Sequence, residues 1–181
     1  FLLHALYLYW RFVQRPAPWM LAACGVALGL AQLSKFSALL LYPILLLLAL
    51  STRNRKILAS LIPIFLISLI VIDAGYLFQG IGLPLPLPAE YLRGINSLQL
   101  INEVGEYPEY LFGRWSREGS PFYYLAVILF KTPLPLLAAL LIAPFARREA
   151  KGQSFLWLPA LALLVFFSLS KVHYGIRYIL P

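Results

Sequence analysis

Two arginines three residues apart, Arg114 and Arg117, stand just ahead of Ser120-Pro121-Phe122-Tyr123-Tyr124, and an apolar run carrying Lys131 follows at once. A guanidinium binds phosphate bidentately, and an ammonium binds it as a point charge. Tyrosines at a membrane surface offer an apolar body with a polar tip. Placing a charge inside hydrocarbon costs roughly 2.5–3.5 kcal/mol on insertion scales. A chain that bears this cost beside an aromatic cluster is suited to anionic lipid head groups. Structural roles remain open for the same residues. Arg114 and Arg117 can pair with Glu109 or Glu118 beneath an aromatic belt, and Lys131 can pair with an acid, of which Asp73 is the obvious candidate.

Two further groups belong with these. Lys35 interrupts a long apolar stretch, as a lysine that snorkels to water or as a cation in an outer-leaflet cavity. His173, Arg177 and Tyr178 open the last segment, either capping a pocket or anchoring at the interface. A single histidine without a second ligand at metal spacing is weak evidence for a metal. There is no glycine-rich phosphate loop, no paired-histidine zinc helix and no nucleophile elbow. Cys24 is the only cysteine, which leaves no disulfide framework.

Composition sets the frame that must hold these residues. The 181-residue chain is 61% hydrophobic and only 12% charged, more apolar surface than a soluble domain of this length can bury. An integral membrane protein is expected. The net charge of +8 does not indicate nucleic acid, because the cations cluster between apolar runs. The chain opens inside one apolar stretch and stops in another, as an internal piece of a larger polytopic protein would.

Residues 17–50 as one helix would measure about 51 Å, against a hydrocarbon core of about 30 Å. Arg11 and Arg15 precede this run, and Arg53, Arg55 and Lys56 follow it. A hairpin of 17–34 and 36–50 with Lys35 near its tip keeps both clusters on the cytoplasmic side. With 1–10 as a truncated pass, the remaining passes are 57–78, 121–145 and 154–170, within one transmembrane domain over 1–181. Short inner loops carry eight cations (11, 15, 53, 55, 56, 147, 148, 151) against Glu149 alone. The outer loop 79–120 carries Arg93, Arg114 and Arg117 against glutamates 90, 103, 106, 109 and 118. A loop this long is usually functional. Its start, 83–88, alternates leucine and proline and should be stiff and extended. Leu92, Ile95, Leu98 and Ile101 then recur at three-residue spacing, as in a short interfacial helix or a plain lid. Gly25 and Gly29 have the small-xxx-small spacing of closely packed membrane helices.

Gly25-Val-Ala-Leu-Gly-Leu-Ala-Gln-Leu-Ser-Lys35 resembles a G-x-x-x-G-L-A-x-L-[ST]-K pattern of bacterial membrane glycosyltransferases, relatives of protein O-mannosyltransferases and of the aminoarabinose transferase that modifies lipid A. Tyr110-Leu-Phe-Gly-Arg-Trp-Ser, Ser120-Pro-Phe-Tyr-Tyr, Lys131-Thr-Pro-Leu-Pro and Arg177-Tyr-Ile-Leu-Pro181 recur there in the same order. The resemblance spans nearly the whole chain. It implies an all-α, polytopic GT-C bundle in the bacterial inner membrane, with its active face outward. It further implies a sugar donor linked to polyprenyl phosphate and an acceptor that is protein, lipid or glycan. Lys35, Arg114, Arg117, Lys131 and Arg177 would bind the carrier phosphate, and Tyr123, Tyr124, His173 and Tyr178 would line the pocket. The family's catalytic acid lies in an Asp-Glu motif of the first outer loop, and no residue of this chain matches it. The catalytic residue is therefore expected ahead of Phe1. No cofactor is implied by any motif, and a divalent metal is left open for the full-length protein. A polyprenyl-lipid flippase or a non-catalytic membrane subunit would share the cationic, aromatic surface without needing the acid.

Overall fold

The computed structural model describes residues 1–82, 86–104, 109–116, 120–146 and 154–169. They are mostly helical and fall into two units, Phe1–Leu98 and Gln99–Pro181.

The first unit begins with α1 (Leu2–Gln14), which runs past the expected end at residue 10 and takes in Arg11. Arg15 is extended (φ −137°, ψ 82°) because Pro16 follows and excludes the helical region. Pro18 then opens α2 (Pro18–Ser34), where its missing N–H is no loss. The apolar stretch 17–50 breaks at Lys35, continues as a 3-10 turn over Phe36–Leu40 and resumes as α3 (Leu41–Ser51). Asn54 caps α4 (Arg55–Gly75), its side chain accepting from the Lys56 amide at 3.0 Å.

At 21 residues, α4 alone among the described helices is long and apolar enough to cross a membrane. Leu61, Ile64, Ser68 and Ile72 face inward, while Ile62, Leu66 and Ile70, four residues apart, are exposed. An apolar stripe left uncovered on a helix of spanning length is the pattern of membrane association.

The glycines show how α2 and α4 meet. A methyl group on Gly25 would lie 2.6 Å from Ile67 Cβ and 2.9 Å from the Ile64 carbonyl. On Gly29 it would lie 2.5 Å from Val71 Cβ and 2.9 Å from the Ser68 carbonyl. Leu33 packs in the same way on Gly75. Contacts that advance together along both sequences mean the two helices run parallel, and α3 is the return between them. The small-xxx-small spacing therefore works as expected. Tyr42 ties α3 to α4 through a 2.9 Å hydrogen bond with Ser68 and an edge contact with Phe65.

After α4 the chain turns at Gly80 (φ 66°) into a minimal antiparallel ladder, β1 (Ile81–Gly82) with β2 (Leu87–Pro88). Leu87 and Pro88, the end of the leucine–proline segment, thus pair with Ile81 and Gly82, and residues 83–85 lie outside the described residues. The Ala89 amide donates to the Gly80 carbonyl at 3.0 Å, which starts α5 (Ala89–Val104) beside the end of α4.

In the second unit, β3 (Glu109–Leu111) and β4 (Arg114–Ser116) form a hairpin absent from the sequence expectation. Its two-residue turn, Phe112-Gly113, has positive φ at both positions (49° and 82°), as a type I′ turn requires. Tyr110 and Trp115 pair across the strands with ring centres 5.1 Å apart. The apolar run 121–145 is divided. It forms α6 (Tyr123–Lys131) and α7 (Leu134–Ala146), with Thr132 extended ahead of Pro133. α8 (Ser154–Leu169) packs on α6, where Tyr124 meets Phe167.

Candidate functional site

Lys35 is exposed and follows the last residue of α2. Its backbone is extended (φ −160°, ψ 125°), so the helix stops there. Ala38 fixes this turn from two directions. Its amide donates to the Lys35 carbonyl at 2.9 Å, and its carbonyl accepts Gln32 Nε2 at 2.8 Å. The Gln32 side chain therefore closes a loop of backbone around Lys35.

Gln32 is buried, and its other polar atom is also satisfied: Oε1 accepts the Tyr91 hydroxyl at 3.0 Å. Buried amides need such partners, since an unpaired one costs about 1–3 kcal/mol. Tyr91 brings α5 onto the turn. Its ring lies 5.6 Å from Phe36 and 6.2 Å, edge-on, from Tyr76. Gly94, one helical turn along, touches the Phe36 ring so closely that a Cβ there would collide with Phe36 Cζ. Phe36, next to Lys35 in the chain, is thus held by α5 from above.

The docked face of α5 is centred on Tyr91 and Gly94. The expected apolar face is displaced by about one residue from it: Leu92 and Ile95 are half-buried and Leu98 is exposed. Arg93 lies outside the docked face and pairs with Glu90 at 2.6 Å, both largely in solvent, where such a pair contributes little. Burial pushes the Tyr91 hydroxyl up to about 12, with smaller contributions from Tyr42 and Tyr76.

Asp73 is buried at the far end of α4, and its Oδ1 has no hydrogen-bond partner among the described residues. Its backbone carbonyl accepts the amides of Tyr76 and Phe78, which ends the helix.

In the second unit, Arg114 is the first residue after the hairpin turn, opposite Leu111. Phe112 in that turn stacks edge-on against Phe130 at 6.1 Å. The contact brings the start of β4 to the end of α6, where Lys131 is the last helical residue and is exposed. The hairpin turn thus meets α6 one residue before Lys131. Tyr123 and Tyr124 meet edge to face at 5.3 Å. Tyr123 is half-buried and Tyr124 fully buried, so Tyr124 belongs to the packing between α6 and α8. Arg117, His173, Arg177 and Tyr178 lie outside the described residues.

Sequence reasoning missed Gln32 and Tyr91. A signal for Gln32 was present, since it is the one amide in the apolar stretch 17–33 and sits three residues before Lys35. Among the described residues no group of three or more His, Cys, Asp or Glu side chains could hold a metal ion. Compared with known proteins, the chain matches no family model, no curated protein and no solved structure.

Proposed function

We propose that this chain belongs to an all-α, polytopic membrane bundle of the GT-C type, facing outward from a bacterial inner membrane. It would transfer a glycosyl group from a polyprenyl-phosphate carrier to an acceptor on the non-cytoplasmic side. The observation that carries the proposal is the Lys35 turn. An exposed lysine follows the last residue of α2, on backbone fixed by Ala38 and Gln32 and next in the chain to Phe36, which packs on Tyr91. The ordered motif resemblance agrees with this placement.

In this account the acceptor nucleophile attacks the anomeric carbon, and the bond from that carbon to the carrier phosphate breaks. A carboxylate of the kind the resemblance implies for the family's first outer loop, matched by no residue of this chain, would take the acceptor proton. Negative charge grows on the leaving polyprenyl phosphate. Lys35 neutralises it, and a cation on backbone fixed before the reaction does so with little reorganisation; the resemblance gives Arg114, Arg117, Lys131 and Arg177 the same task.

The test is single-turnover sugar release from a polyprenyl-phosphate-sugar donor by the full-length protein. Wild type should turn over, and Lys35→Ala should lose about a hundredfold or more in rate, as when one preorganised donor is removed, with little loss of folded protein. Donor binding with no sugar release under any condition would instead favour a lipid carrier.

A further inference from the structure

We infer that Gln32 and Tyr91 are positioning residues for Lys35, so that capture of an anionic lipid head group at Lys35 requires α5 to be docked. The inference rests on the proposed role of Lys35 and deepens it.

A lysine on a free helix end samples many directions, and ordering its long side chain on a ligand carries an entropic penalty. Here the backbone on either side is already fixed. On the N-terminal side, the Lys35 amide donates to Ala31 at 3.1 Å and completes α2. On the C-terminal side, Ala38 bonds both the Lys35 carbonyl and the Gln32 side chain. The Gln32 amide can reach Ala38 in one orientation only, with Nε2 toward the carbonyl. Oε1 must then find a donor, and the donor is the Tyr91 hydroxyl, 59 residues away on α5. Removing that hydroxyl leaves Oε1 buried without a donor. The amide is then free to rotate out of its bond to Ala38. The effect reaches Lys35 through three named hydrogen bonds.

Phe36 supplies a second connection between the same elements. Tyr91 and Gly94 hold its ring, and the ring is attached to the residue after Lys35. If α5 lifts, Gln32 and Phe36 are released together. By linkage, whatever binds Lys35 in its held geometry also favours docked α5.

The experiment is a double-mutant cycle on the full-length protein in detergent, titrated with a synthetic polyprenyl monophosphate. Thermal unfolding is followed in parallel. Lys35→Ala should weaken binding at least tenfold. Tyr91→Phe, which keeps the ring, should weaken it about tenfold through loss of one buried hydrogen bond. The combined variant should bind like Lys35→Ala alone, because Tyr91 acts only through Lys35. Gly94→Ala, which displaces Phe36 from the other side, should weaken binding independently of the hydroxyl. Unchanged affinity in both Tyr91→Phe and Gly94→Ala, with Lys35→Ala still impaired, would overturn the positioning role and leave the Lys35 site intact. Losses that simply multiply in the combined variant would also overturn it, since Tyr91 would then act elsewhere. Unchanged affinity in Lys35→Ala would remove the site itself, and the inference with it.

Discussion

The Tyr91 hydroxyl, on the loop helix α5, donates to Gln32 inside α2, one turn before Lys35. This bond joins α5 to α2 beside the exposed Lys35.

Burial of the Tyr91 hydroxyl makes stability depend on alkaline pH. Tyr91 holds its proton to about pH 12 in the folded protein, whereas an unfolded tyrosine loses it near 10. Between these values the unfolded state binds fewer protons than the folded one, so stability falls as pH rises. The contribution is intact below pH 10 and worth about 2–3 kcal/mol before it is lost near pH 12. Other buried tyrosines add to the wild-type slope. The difference between wild type and Tyr91→Phe, followed by thermal unfolding from pH 9 to pH 12, isolates this residue. Parallel slopes for the two proteins would contradict the assignment.

Gly29→Ala should destabilise the pairing of α2 with α4 by about 1–3 kcal/mol, the usual range for overpacking. The added methyl meets both Val71 and the Ser68 carbonyl. Val71→Ala in the same protein should recover only part of the loss, because the carbonyl cannot move aside without the helix. Full recovery would mean that the approach is limited by side chains alone.

Gly113→Ala should cost about 1 kcal/mol through backbone strain, since φ is 82° and no atom lies within 4 Å of the new methyl. The change has a local signature. Amide exchange should quicken in β3 and β4, while α2 and α4 keep their protection. Faster exchange throughout the chain would contradict a strain confined to the turn.

The parts of this architecture readable from sequence are those governed by near neighbours. Gly25 and Gly29, four residues apart, mark a close helix contact. The break at Lys35 followed from balancing the basic clusters at both ends of 17–50, a long-range charge argument. What escaped were relationships set by tertiary packing. The hairpin 109–116 depends on a positive-φ turn that begins with phenylalanine, a residue that gives no turn signal. The face of α5 was misjudged by about one residue because periodicity located its leucines and isoleucines, while the docking is made by a tyrosine and a glycine. The bond from Tyr91 to Gln32 spans 59 positions, and nothing local to either residue announces it.

The central claim is that Lys35 receives the phosphate of a polyprenyl carrier. Native mass spectrometry of the full-length protein tests it most directly, comparing retained polyprenyl phosphate in wild type, Lys35→Ala and Arg117→Ala. The account predicts lipid bound to wild type and lost from both variants at equal folded protein. Equal retention in all three would contradict it, returning Lys35 to a lysine that only reaches for water and Arg117 to the aromatic belt.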